Sequence, residues 1–282
     1  MKTVTLANRT VPAIGIGTWH MGDDAATKAT EIKAIQTGLN AGATVIDTAE
    51  MYGNGRSESL VGEAIAPYDR DQLFLISKVL PNNASQAQME AHLDASLKRL
   101  GTDYVDLYLY HWRGGIPLSE TVDELQRLTT TGKIKSWGVS NFDLSDMQEL
   151  WRLPNGVKAA ANEDLYNLGS RGIEYSLLDW QTQHHVPLIA YSPVSNGDQL
   201  GANLTTNEAV LTVARQHDAT PYQILLAWAI HRSQILAIPQ TSDSEHMAAN
   251  VAAGEIRLTT DDLALLDRAY PAPSRKEPLD VL

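Results

Sequence analysis

A closed (β/α)8 TIM barrel preceded by an N-terminal β-hairpin is the fold this 282-residue sequence predicts. Three observations predict it. Eight short β-branched or aliphatic runs recur along the chain, most of them separated by amphipathic stretches. No GxGxxG turn follows the first run, whose glycines read GIGTWHMG, so the fingerprint of an open dinucleotide-binding sheet is missing. Polar side chains capable of chemistry stand at the ends of several different runs, which is how a barrel assembles a site at its C-terminal mouth. An open doubly wound sheet would account for the alternation alone. No linker or compositional break divides residues 1–282, so a single domain is expected.

The elements follow in order. The opening TVTLANRTVP predicts a hairpin turning at Ala7–Asn8. Strand runs lie near 14–17, 44–47, 73–78, 104–110, 134–139, 158–162, 186–191 and 235–238. Residues 26–42 place Ile32, Ile35 and Leu39 on one helical face and stop at Gly42. Residues 85–101 offer Ser85 as an N-cap, a basic last turn at Lys98 and Arg99, and Gly101 just past the end. Residues 118–132 read as a helix that Ser119 can cap. The tail carries Pro271, Pro273 and Pro278 and is expected to be an irregular strap.

Composition narrows the function. With 43% hydrophobic and 20% charged residues the chain suits a soluble protein with a sizeable core. A net charge of −12 and the lack of a basic stripe argue against nucleic-acid binding. Without cysteine there is neither a disulfide framework nor a thiolate metal site. His184 and His185 are adjacent rather than four apart, so a role at a helix C-terminus is favoured over a metal pair, and no metal is expected. MKTVTLANRT lacks the apolar segment of a signal peptide and no run of 18 apolar residues occurs, so a cytoplasmic location is expected.

Four residues carry the candidate chemistry. Asp47 closes ATVID, Lys78 closes LFLISK, His111 closes YVDLYLYH, and Tyr52 follows in TAEMYGNGR. A tyrosine phenol is a weak acid with a pKa of about 10, which a nearby ammonium lowers. Lys78 can supply that charge, Asp47 can hold Lys78, and His111 can orient a carbonyl oxygen. Together they suit proton donation to an oxygen on which negative charge develops. Singly, each has an ordinary explanation as a cap, a surface residue, a solvated lysine or a packed histidine.

The segments GIGTW (15–19), ATVIDTAEMYGNGRSESLVGEAI (43–65), LFLISKV (73–79), DLYLYHW (106–112), GVSNF (138–142), AYSPV (190–194) and AIPQTS (237–242) resemble the aldo-keto reductases. LYNLGSRGIEYSLLDW (165–180) and the ending DRAYPAPSRKEPLDV look most like short bacterial members of the methylglyoxal reductase type. The resemblance covers nearly the whole chain. It implies the barrel, NAD(P)H-dependent reduction of carbonyls, and a catalytic tetrad of Asp47, Tyr52, Lys78 and His111 with Tyr52 as the acid. It also implies a cofactor site. Thr18 and Trp19 would flank it. Ser140 and Asn141 would hold the carboxamide together with Glu163, and Tyr191 would stack on the nicotinamide. Ser192, Pro193 and Val194 would follow the pyrophosphate. Gln240, Thr241, Ser242 and His246 would surround the 2′-phosphate, and Asn250 would reach adenine. Trp19, Tyr52, His111 and Trp112 would line an aromatic substrate pocket.

Two positions depart from the family pattern. Glu163 stands where a glutamine is usual, so it can accept from the carboxamide but cannot donate if ionised. Unless it is protonated or paired with Lys78, it should favour the oxidised cofactor. Gln240 replaces the usual lysine and His246 the usual arginine. Neutral hydrogen bonds to phosphate are roughly half as strong as charge-assisted ones, so NADPH is expected as cofactor with reduced preference over NADH. Short loops imply an open pocket for small aldehydes, dicarbonyls and ketones, in a protein expected to be monomeric with no nucleic-acid or membrane partner. Two rivals remain: a polyol or alcohol dehydrogenase acting oxidatively, and a non-catalytic cofactor-binding barrel.

Overall fold

The computed structural model describes residues 1–195 and 203–282. Strands β1 (Thr3–Leu6) and β2 (Arg9–Pro12) pair antiparallel, with Leu6 opposite Arg9. Ala7 and Asn8 turn between them at φ 47° and 63°. Two positive φ values make a hairpin turn whose twist matches that of its strands. Val4, Leu6 and Val11 are buried in one cluster with Val45, Phe74, Leu107, Ile189 and Leu236. The hairpin is thus a plug inserted into the N-terminal end of the barrel.

The barrel is formed by β3 (Ile16–Gly17), β4 (Val45–Asp47), β5 (Phe74–Val79), β6 (Val105–Tyr110), β7 (Ile134–Ser140), β8 (Asn162–Leu165), β9 (Leu188–Tyr191) and β10 (Ile235–Ala237). Each pairs in parallel with the next. A parallel bridge between Ile14 and Ala237 closes the ring, with Gly15 N–H donating to Ala237 O at 2.8 Å and Gly17 N–H to Pro239 O at 3.0 Å. Closure leaves no unpaired sheet edge. The helices expected at 26–42, 85–101 and 118–132 are Lys28–Asn40, Met89–Leu100 and Leu118–Thr131.

Side chains alternate across the strands with period two. Phe74 and Ile76 of β5, with Leu107 and Leu109 of β6, fill the barrel interior. Leu75 and Tyr108, between them in sequence, belong to the layer shared with the helices. That alternation positions the site. Continuing the inner set by two residues carries β5 to Lys78 and β6 to His111, at the C-terminal mouth.

Three expectations need correction. The run 158–162 is not the sixth barrel strand: Gly156–Lys158 is a 3₁₀ turn and the strand is Asn162–Leu165. Its first three residues are polar yet buried, and the fold supplies partners for only some of their side-chain atoms. Asn162 Nδ2 donates to Asp164 Oδ2 at 2.6 Å and to Phe142 O at 2.9 Å. A hydrophobicity pattern therefore places this strand too early. Ser85 does not cap its helix, because the backbone makes a turn first and Ser85 O accepts from Gln88 and Met89. Ser119 lies inside its helix, which begins directly after Pro117. The tail has no regular structure, as expected, and is tied down by Lys276 on Asp143 and Asp280 on Ser170.

Candidate active site

Lys78 is the hub of the mouth, and its side chain is fully buried. Its Nζ donates to Asp47 Oδ1 and Oδ2 at 2.6 and 2.7 Å, to Thr48 O at 3.2 Å and to Tyr52 Oη at 3.0 Å. Glu163 Oε1 lies 3.3 Å away. Tyr52 reaches this point because the chain reverses sharply after it: Gly53, Asn54 and Gly55 have φ of 55°, 54° and 85°. The φ of Gly55 favours glycine there, and a Cβ would also sit 2.6 Å from Arg99 Nε and displace that side chain. The His111 ring meets that of Tyr52 edge-on at 5.8 Å.

The electrostatics follow from burial. Burial most strongly opposes the Lys78 charge, but Asp47, Glu163 and Tyr52 together outweigh it, so Lys78 is held charged. Burial pushes the Tyr52 phenol up; the Lys78 charge opposes this, and the Asp47 and Glu163 carboxyls add to it. The lowered phenol expected from Lys78 is therefore corrected: burial outweighs the pull of the ammonium. Burial, followed by the Lys78 charge, pushes His111 down to about 2, so its imidazole is neutral. Glu163 is raised well above the usual carboxyl range by burial and then by Asp47. Burial raises Asp47 too, against the pull of the Lys78 charge; Asp47 holds the closer contacts with Lys78 and is the better supported of the two as a carboxylate.

A cleft of about 690 Å³ opens above this cluster. Asp47, Tyr52, His111, Trp19 and Trp112 line it, as do Ser140, Asn141, Glu163 and Tyr191. Ser192, Pro193, Val194 and Gln240 continue the wall. Asn141 is held in place by donating to His111 O at 3.1 Å and accepting from Tyr191 Oη at 2.8 Å. Ser140 Oγ donates to Glu163 O at 2.9 Å. Thr18 also lines the cleft, but its hydroxyl is spent on Asp47 O at 2.8 Å and on Ser57. Thr241, Ser242, His246 and Asn250 do not line it; they lie beyond Gln240, on the approach to and along the helix Ser244–Ala252. His184, which ends the helix Leu177–Gln183, stacks on Trp180 at 3.9 Å between ring centroids. Among the described residues no cluster suited to a metal ion occurs.

Sequence reasoning missed Met51, Tyr222 and Leu282, which also line the cleft. Tyr222 opens the helix Pro221–Ala229 and Leu282 ends the tail, far in sequence from every strand end. No local pattern marks them.

The profile of the Aldo/keto reductase family matches residues 13–271. The chain belongs to that family. It is 47% identical over 272 residues to methylglyoxal reductase YeaE of Escherichia coli K12, covering 96% of this chain and 95% of the relative. Methylglyoxal reductase DkgB of Salmonella typhimurium is 31% identical, covering 92% of this chain and 94% of the relative. A crystal structure of an aldo-keto reductase from Klebsiella pneumoniae in complex with NADPH superposes with a TM-score of 0.97 at 48% identity, covering 100% and 99% of the two chains. As a family member the chain is an oxidoreductase with the (β/α)8 fold. No helix among the described residues is long and apolar enough to cross a membrane.

Proposed function

We propose that this aldo-keto reductase uses NADPH to reduce small aldehydes and dicarbonyls, methylglyoxal among them, to alcohols, with Tyr52 as the proton donor. The observation that carries the reading is the bonded chain Asp47–Lys78–Tyr52 at the floor of the cleft. The cofactor, when bound, supplies the hydride. Asn141 and Ser140 are held on one wall by fixed hydrogen bonds, with the buried Glu163 carboxyl and the Tyr191 ring beside them. That set suits a flat amide-bearing ring and supports a nicotinamide site.

The chain's own residues do the rest. His111 is neutral, so it can donate to a carbonyl oxygen and orient it without adding charge. Tyr52 is protonated at neutral pH because its phenol is pushed up. An alkoxide is a far stronger base than a phenolate, so the transfer runs toward the substrate as the alkoxide forms. Lys78 stabilises the phenolate left behind. Trp19 and Trp112 offer an apolar rim suited to small uncharged carbonyls. Two relatives named as methylglyoxal reductases support dicarbonyls as substrates, and the NADPH complex of the Klebsiella relative supports the cofactor.

The test is loss of NADPH absorbance with methylglyoxal and a panel of small aldehydes, run also in reverse with the alcohols and NADP⁺. Faster turnover of carbonyls than of alcohols is expected. Cofactor binding with no turnover across the panel would overturn the reading in favour of a non-catalytic barrel.

A further inference from the structure

Glu163 sits where one ammonium serves two buried carboxyl groups. Asp47 takes both short contacts with Lys78, and Glu163 Oε1 takes the longer one at 3.3 Å. Glu163 Oε2 is buried and receives no hydrogen bond among the described residues. Two buried carboxyls beside one ammonium favour a proton on one of them, and burial, followed by the Asp47 charge, raises Glu163 well above the usual carboxyl range. The remaining neighbours add no cation: Tyr52 follows β4, the neutral His111 follows β6, and Tyr191 ends β9. On its own strand, Asn162 and Asp164 turn to the other face and bond each other. One positive charge thus balances one carboxylate, and the second carboxyl keeps its proton.

We propose that Glu163 holds the proton that resets Tyr52 after each reduction, and that its ionisation is linked to the charge of the cofactor ring, an inference resting on the cleft being a nicotinamide site. The step balances. The hydride and its electron pair go to the carbonyl carbon, and the carbonyl π pair becomes a lone pair on oxygen, which takes the Tyr52 proton. Tyr52 Oη recovers a proton from Lys78 Nζ, 3.0 Å away, and Lys78 recovers one from Glu163, 3.3 Å away. The substrate has gained a hydride and a proton, the cofactor is oxidised, and Glu163 is a carboxylate beside a cationic ring. Solvent reprotonates Glu163 when the oxidised cofactor leaves. A glutamine could play no part in this transfer.

The experiment measures protons rather than turnover. NADP⁺ and NADPH are titrated calorimetrically into the protein in two buffers of different ionisation enthalpy. The 2′-phosphate titrates alike in both and drops out of the difference. NADP⁺ should release up to about one proton more than NADPH does, so its affinity relative to NADPH should rise with pH by up to roughly tenfold per unit. In Glu163→Gln the difference should vanish while NADPH still binds, which also reports an intact fold. Equal proton release by both cofactors in the wild type, or an undiminished difference in the variant, overturns the proposal. No binding of either cofactor to the wild type overturns the nicotinamide reading and this inference with it; binding without a proton difference overturns this inference alone.

Discussion

The two ends of the cleft are built on opposite terms. At the floor, Asp47, Lys78, His111 and Glu163 are buried, and each strand delivers its residue by continuing the inward alternation that also packs the barrel. At the far end Gln240 is exposed, and past it, outside the cleft, so are Ser242, Asp243, Glu245 and His246. No Lys or Arg occurs between Arg232 and Arg257. The N-terminal donors of the helix Ser244–Ala252 are already used, because Asp243 Oδ1 accepts from Glu245 N at 2.8 Å and His246 N at 2.9 Å. Bare donors at a helix start would make an anion site; here a carboxylate occupies them. The floor is a closed network of buried charged groups around one ammonium, while the far end is polar and solvated.

The largest effect expected is at the floor. Tyr52→Phe keeps the ring and removes the proton, so kcat should fall by about 10²–10⁴-fold. NADPH affinity should hold, because the substitution leaves the far end unchanged. Steady-state rates alongside fluorescence titration with NADPH would check both halves, and a comparable loss of binding would break the contrast.

Next comes the hub. Lys78→Met leaves two buried carboxyls without their cation, and removing one partner of a buried pair costs about 3–5 kcal/mol. The double variant Lys78→Met/Asp47→Asn removes the stranded charge as well and should lose less stability than Lys78→Met alone. Urea unfolding of the two variants would decide; a double variant that is less stable than the single would mean that the charges are not balanced as described.

How much of this was legible in the sequence differs between the same two regions. Strand ends carrying Asp47, Lys78 and His111 stand out because a polar residue closing an apolar run is conspicuous. Strand β8 did not, because Asn162, Glu163 and Asp164 look like a loop until the barrel supplies their partners. Each contact of the lysine was open to sequence reasoning as a possibility, but that both carboxyls meet one ammonium follows only from parallel pairing through the ring, since Asp47 and Glu163 are far apart in sequence. Tyr222 and Leu282 come from a helix start and the tail, where no periodicity points inward.

The same strand gives a smaller, pH-dependent effect. Asp164 is fully buried, its Oδ1 has no partner, and burial followed by Asp143 and Asp146 raises it well above the usual carboxyl range. A raised folded value means that its favourable contribution is complete below the unfolded value of about 3.9 and is lost as pH rises above it. Between about pH 5 and pH 7 the wild type should therefore lose stability relative to Asp164→Asn, by up to ~1.4 kcal/mol per pH unit. Urea midpoints at both pH values would show the gap widening in the variant's favour; a constant gap would mean that Asp164 is ionised in the fold.

The smallest effect belongs to the exposed end, where one substitution can make it resemble the floor. Gln240 lines the cleft and is exposed, and a lysine there would meet no cation among its sequence neighbours and would have Asp243 three residues away. A charge-assisted bond to phosphate is roughly twice as strong as a neutral one, a gain on the order of 1 kcal/mol at a solvated position. Gln240→Lys should tighten NADPH several-fold and leave NADH unchanged, since NADH lacks the 2′-phosphate. The gain should shrink as salt rises, because exposed charges are screened within about 10 Å at 0.1 M. Asp243→Asn should act in the same direction and more weakly, by removing the like charge while keeping an N-cap that helices accept. Dissociation constants for both cofactors at low and high salt would measure this. Equal tightening of NADH would show that the lysine improves the fit of the adenosine rather than recognising the phosphate, and the far end would then be a shaped site rather than a solvated one.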